Sequence, residues 1–326
     1  MAGRGSPALA IPAPRPARLQ ARLGEAVEAA PPHLYFILSA VFHYLGPAFA
    51  VLLFARVSVL GVAWLRIASA ALIFAAWRRP WRTFAGVDRS GRRLLVGWGV
   101  ALAAMNACFY LAIDRLPLGT VAAIEFLGVI VLAALGARTA RNGAALVLAV
   151  AGVYLLTDVR LGGEPAGIAF AFANAILFAL YIVLAHRVSR HRGMGGIDGL
   201  GASMMIAAVA ITPLGGWQVV PALSDPVALA AGAGVGLCSS VIPYVTDQLA
   251  MRRLARATYA LMVSLLPATA TAIGIVVLAQ LPSPAEAVGV ALVIAGVAVH
   301  RDPAGHEAVP AASRSSRNRL RSSPPA

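Results

Sequence analysis

Arg66 and Glu125 are the two side chains on which chemistry could rest. Each lies inside a long apolar stretch, about eight residues from the same end of its stretch, or about 12 Å deep at 1.5 Å per residue. A lone charge at that depth in hydrocarbon costs several kcal/mol unless it is paired or faces water. Equal depth and opposite sign point to an Arg66–Glu125 ion pair. In a functional form Arg66 takes a carboxylate, and Glu125 takes an ammonium group or a proton. In a structural form the pair fastens two helices. His43 lies about 15 Å from the start of its stretch and titrates near neutral pH, which suits either a proton relay or a hydrogen-bonded packing role. Asn106 and Tyr110, four residues apart, share one helical face and supply neutral hydrogen bonds, to a solute or to a neighbouring helix. Asp247 lies near one end of its stretch, close in sequence to Arg252 and Arg253, and reads as a coupling carboxylate or a gating pair. Pro47, Pro243 and Pro267 fall within apolar stretches, where each frees a backbone carbonyl and permits a kink beside a cavity.

Ten helices must carry these groups, over about 33–55, 58–77, 94–113, 117–137, 143–158, 165–186, 197–217, 227–250, 257–280 and 284–300. Each is about long enough to cross a hydrocarbon core of roughly 30 Å. The fold class expected is an all-α membrane protein of ten transmembrane helices. The 27 basic residues are all arginine; 23 of them fall in the N-terminal tail, in every second connection or in the C-terminal tail. Only Arg56, Arg115 and Arg160 fall in the other connections, and Arg66 lies inside a span. That bias predicts that both termini are cytoplasmic.

Composition excludes most other classes. Of 326 residues, 60% are hydrophobic and 12% charged, with a mean hydropathy of +0.79, well above the 45–50% apolar content typical of water-soluble domains. The net charge of +14 follows the membrane pattern rather than a basic stripe, so no nucleic-acid partner is expected. Cys108 and Cys238 lie inside spans without metal spacing. The chain lacks a Walker loop, an HExxH motif and a Ser–His–Asp grouping of credible geometry, so neither a cofactor nor an enzymatic reaction is expected. Residues 1–32 and 301–326 read as disordered cytoplasmic tails, the second basic; 17–30 has the composition of a short surface helix, but disorder is the expectation for most of that tail. No cleavable leader is expected in residues 1–32, which hold no apolar run.

The membrane part reads as two copies of one unit, 33–158 and 165–300. LAIDRLPLGTVAAI (111–124) matches LAMRRLARATYALM (249–262), and LAVAGVYLL (148–156) matches LVIAGVAVH (292–300). Each unit has five spans. Five is odd, so the second copy must enter the membrane from the opposite side, giving two inverted five-helix repeats with a binding site near the midplane between them. Gly232, Gly236 and the Ala-Gly pairs at 151–152 and 295–296 allow close helix contact.

The stretch MNACFYLAIDRLPLGTVAAIEFLG (105–128) resembles the EamA type of the drug/metabolite transporter superfamily, and within it the bacterial inner-membrane threonine/homoserine exporters. The resemblance rests on Asn106 before Phe109-Tyr110, on Pro117-Leu118-Gly119, and on Glu125-Phe126-Leu127-Gly128. LGPAFAVLLF (45–54) with Leu65-Arg66, and SSVIPYVTDQLAMRRL (239–254), fit it more weakly. Two positions depart from the family pattern: Val129 stands where relatives have proline, and Leu266 stands where a second glutamate would fall. The resemblance implies a multi-pass plasma-membrane carrier that exports a small amino acid or related metabolite, with a proton as coupling ion. Its partners would be a small-molecule solute, the lipid bilayer and, as an assembly, a homodimer. Two other readings remain open: an exporter of drugs or lipophilic cations, and a membrane protein that transports nothing.

Overall fold

The computed structural model describes residues 31–136, 139–161, 164–191, 194, 196–246 and 265–299, and among these there is no strand. The described residues form helices α1 (Pro32–Leu53), α2 (Val59–Arg78), α3 (Pro80–Gly86), α4 (Arg89–Ile113), α5 (Leu118–Gly136), α6 (Ala140–Leu161), α7 (Pro165–Ser189), α8 (Gly196–Ile211), α9 (Pro226–Gly236), α10 (Leu266–Leu278) and α11 (Pro284–Val299). A π-turn (Thr212–Gly216) and a 3-10 segment (Trp217–Ser224) prolong α8. A second π-turn (Leu237–Val241) prolongs α9, which stays helical to Thr246.

Local sequence sets these boundaries. Proline opens α1, α3, α7, α9 and α10 within the first two positions, where its missing N–H costs nothing. Asp88 caps α4 by accepting from Gly91 N at 2.8 Å, and Asp225 caps α9 by accepting from Val227 N and Ala228 N. At α11, Ser283 and Glu286 bond each other's backbone N–H groups in a capping box, at 2.8 and 3.3 Å.

By length and apolar composition, six described segments can cross a membrane: His33–Leu53, Val59–Arg78, Arg89–Ile113, Pro165–Val188, Gly196–Ser224 and Pro226–Thr246. Leu118–Val131, Ala140–Leu156, Leu266–Leu278 and Pro284–Val299 are shorter apolar helices. Outward-facing apolar side chains such as Leu72, Leu135, Val147, Ile176, Val209 and Val276 suit a lipid surround, since so broad an apolar exterior would not persist in water.

The helices pack through small residues, as expected where hydrocarbon removes the usual hydrophobic drive. A Cβ on Gly236 of α9 would meet the Arg66 carbonyl of α2 at 2.6 Å, and one on Gly232 would meet Leu65 at 2.7 Å. Gly296 lies against the Ala145 carbonyl, and Gly152 and Gly289 oppose each other where α6 crosses α11. Gly128 of α5 sits directly on the Ala175 carbonyl of α7.

Three features depart from the sequence reading. The helix expected at 94 begins at Arg89, because Asp88 caps it there, and the connection before it folds into the short helix α3. The helix expected at 197–217 loses α geometry at Thr212. Pro267 was expected to interrupt a span; it stands in the first turn of α10, where no intrahelical bond is lost. Asp247, the surface helix at 17–30, both outer tails and the repeat segment 249–262 lie outside the described residues.

Candidate functional site

A cavity of about 460 Å³ lies among α1, α2, α4, α5, α7, α9 and the start of α10. Its wall includes His43, Pro47, Arg66, Asn106 and Glu125 from the first half of the chain, and Asn174, Pro243 and Leu266 from the second. The sequence-predicted groups His43, Pro47, Arg66, Asn106, Glu125 and Pro243 therefore share one chamber. Tyr110 stands behind the wall, with its ring 5.6 Å from the Arg66 guanidinium carbon. Aromatic side chains fill much of the remaining wall, among them Phe36, Phe109, Phe126, Phe178 and Tyr181. Both departures from the family pattern, Val129 and Leu266, line the cavity.

Arg66 and Glu125 are both buried but do not form the ion pair that their depths suggested. The reason lies in α9. Had α9 continued as an α-helix, the N–H of residue 243 would have bonded the Ser239 carbonyl; Pro243 has no N–H to give. Arg66 Nη2 donates to that carbonyl at 3.1 Å, and Arg66 Nε donates to Ser240 Oγ at 3.2 Å. The π-turn widens the backbone at this point, and it presents the Ser239 carbonyl and Ser240 Oγ to Arg66 of α2 while the Ser239 side chain packs against Gly46 of α1. The guanidinium is thus held by a broken helix and an aromatic ring, and Glu125 faces the same chamber without it.

The polar remainder is unevenly satisfied. Asn106 Nδ2 donates back to Leu102 O at 2.8 Å, so what Asn106 can offer a solute is Oδ1 and its second amide hydrogen. Ser39 Oγ donates to Pro243 O at 3.1 Å and ties α1 to the broken part of α9. The hydroxyls of Tyr44 and Tyr110, both amide atoms of Asn174 and Ser239 Oγ are buried without a hydrogen bond of good geometry, although the Asn174 carboxamide is set against the Glu125 carboxyl and the Tyr110 hydroxyl against Arg66 and Ser239 in looser polar contact. Each such group costs about 1–3 kcal/mol when left unmade, so their gathering on and just behind one chamber wall marks a place built for polar contact.

Asn174 is the wall residue that the sequence reading missed. The depth rule that found Glu125 also finds Asn174, about nine residues into α7 from Pro165 and so about 13 Å deep. Its carboxamide faces the Glu125 carboxyl. Ser39 and Ser240 carry no such signal, because their importance comes from the carbonyl and the guanidinium that tertiary contact brings to them.

The chamber has a direction. Its α1 residues run from Pro47 back to Phe36, and its α7 residues run from Asn174 on to Ala185, so it extends from the level of Arg66 and Glu125 toward the end of the bundle where α1 begins. At the opposite end the two halves of the chain are tied together. Arg56 meets Asp225 at 3.2 Å, Ser58 Oγ lies 2.5 Å from Gln218 Oε1, and Leu118 N donates to Gln280 Oε1 at 3.0 Å.

Known proteins resemble this chain in sequence and in fold. The EamA-like transporter family matches residues 165–300. The threonine/homoserine exporter RhtA of Escherichia coli K12 is 32% identical over 255 residues, covering 77% of this chain and 84% of that protein. RhtA of Salmonella typhimurium SL1344 is 31% identical over 240 residues, covering 72% and 79%. A crystal structure of a protein 18% identical in sequence aligns with a TM-score of 0.53 over 82% of this chain and 96% of that one, which supports the fold alone. With its helices, its chamber and these relatives taken together, the chain belongs to the EamA-like transporter family of multi-pass membrane proteins.

Proposed function

We propose that this protein is a secondary transporter of the bacterial inner membrane that exports a small amino acid or related polar metabolite in exchange for protons. Ten spans in two inverted repeats, with both termini cytoplasmic, accommodate the arginine bias and the odd number of helices per unit. In that orientation the chamber extends toward the cytoplasm, and the Arg56–Asp225 end faces outward and is closed, as befits an exporter waiting for cargo. The observation that carries the reading is the chamber itself, in which a buried carboxyl and a buried guanidinium, at similar depth and not paired with each other, share one wall with Tyr44 and Asn174. Glu125 serves as the acceptor for an ammonium group or the exchanged proton. Arg66 lends positive potential toward a carboxylate while bound to α9, and His43 lines the same chamber.

Replacing Glu125 by glutamine keeps the volume and removes the charge. In proteoliposomes, Glu125→Gln should abolish proton-coupled counterflow of the solute, with the protein still monodisperse. Coupled exchange at the wild-type rate would remove Glu125 from the mechanism.

A second reading, export of a lipophilic cation, draws support from the aromatic wall and from Leu266 standing where a second carboxylate is expected. Counterflow against threonine and homoserine on one side and aromatic cations on the other separates the two readings.

A further inference from the structure

Asn174 is fully buried in α7 and lines the chamber. The carboxamide is turned toward the Glu125 carboxyl of α5 in loose polar contact, without a hydrogen bond of good geometry, so both its polar atoms remain available to a solute. Its position is fixed rather than accidental. One turn beyond Glu125, Gly128 sits on the carbonyl of Ala175, the residue after Asn174, so α5 and α7 touch backbone to backbone beside the two side chains. The Tyr44 hydroxyl of α1, also buried and unpartnered, belongs to a residue that lines the same chamber. Among the described residues that line the chamber, Glu125 is the one carboxyl group, so it is the one place on that wall where a cationic group can meet a negative charge.

We propose that Glu125, Asn174 and Tyr44 form a binding site for one primary ammonium group, and that Asn174 selects primary amines over N-alkylated or amine-free solutes. The chemistry is a matching of donors to acceptors. A primary ammonium carries three N–H donors directed apart, and the site offers a carboxyl oxygen, Asn174 Oδ1 and Tyr44 Oη from three different helices. A trimethylammonium group brings the charge without a donor. A hydroxyl in place of the amine brings one donor without the charge. Asn174 Nδ2 stays available for a hydroxyl or carboxylate oxygen elsewhere on the same solute. The proposal rests on the chamber being the solute's, and it narrows the solute class within that reading.

The test uses the purified full-length chain and four probes in calorimetry: threonine, its trimethylated derivative, 2,3-dihydroxybutanoate and n-butylamine. Threonine and butylamine should bind, and the other two should bind at least about tenfold more weakly, the scale set by a hydrogen bond to a charged group. Asn174→Leu should weaken the primary amines by about tenfold. It should also leave the melting temperature unchanged or higher, since an apolar isostere removes an unsatisfied buried group. That last readout separates recognition from structure: a lower melting temperature would make Asn174 a residue of the fold and overturn the proposal. So would equal binding of the trimethylated probe, or undiminished amine binding by the variant. Failure of all four probes to bind overturns the site as well. Butylamine binding without threonine binding would leave the ammonium site standing and sink amino-acid export instead. Threonine counterflow unimpaired by Asn174→Leu would do the reverse.

Discussion

Arg66 has a double role at the scale of a single side chain. Its guanidinium is planar, and two of its nitrogens reach two acceptors, the Ser239 carbonyl and Ser240 Oγ, while its face lies over Tyr110. Lysine retains the charge but cannot satisfy both acceptors in that geometry. Arg66→Lys should therefore destabilise the protein by about 1–3 kcal/mol, because it leaves a buried backbone carbonyl without its donor. Thermal unfolding in detergent checks this; an unchanged melting temperature would mean that the charge alone matters. Glu125 contrasts with it, since no basic side chain is bonded to it across the chamber and it is free to bind and release a cation. Unequal engagement of two groups at similar depth is what a carrier needs, because a tight ion pair would leave neither one for cargo.

At the scale of the helix, the break in α9 is built from three neighbours in sequence. The π-turn at Leu237–Val241 widens the backbone, Pro243 withholds an N–H, and Gly236 lets α2 approach closely enough for Arg66 to supply the missing donor. Pro243→Ala returns an N–H that competes with Arg66 for the Ser239 carbonyl. The variant should be more stable, because an interior proline costs a helix about 3 kcal/mol. It should also transport more slowly, because the α2–α9 clasp loses its obligatory bond. Paired melting and counterflow measurements test this trade; a variant that is both more stable and as fast as wild type would show that the break plays no part in turnover.

At the scale of the whole molecule, one end is fastened and the chamber extends to the other. The ties at the fastened end join the connection after α1 to the connections around α8 and α9, so they clamp the first half of the chain to the second. The Asp225 carboxyl is held below its ordinary 3.8, first by the Ala228 N–H it caps and also by Arg56. A lowered carboxylate pKa lends its stability above 3.8 and loses it as pH falls through the folded value, so this clamp persists throughout the neutral range. Export demands that it open once per cycle. Cysteines introduced at Ser58 and Gln218 and joined through mixed disulfides by a short bis-methanethiosulfonate, with Cys108 and Cys238 replaced by serine, should stop counterflow, and reduction of those disulfides should restore it. Undiminished exchange in the cross-linked protein would mean that the solute leaves by another route.

The apolar spans, their small-residue contacts and the family were legible in the chain alone. Hydrophobicity and helix length act locally, and a run of twenty apolar residues declares itself wherever it lies. Arg66, Glu125, Asn106 and His43 were legible for the same reason, since a polar group deep in such a run is conspicuous at any depth. What those groups touch was decided only by the folded molecule. Depth along a helix leaves rotation about its axis open, and rotation determines whether a guanidinium meets a carboxylate or a freed carbonyl. So Arg66 went to Ser239 and Asn174 came to face Glu125. Tertiary contact likewise placed Val129 and Leu266 on the chamber wall, for helices packed by van der Waals fit acquire their facing sides only when their neighbours are in place.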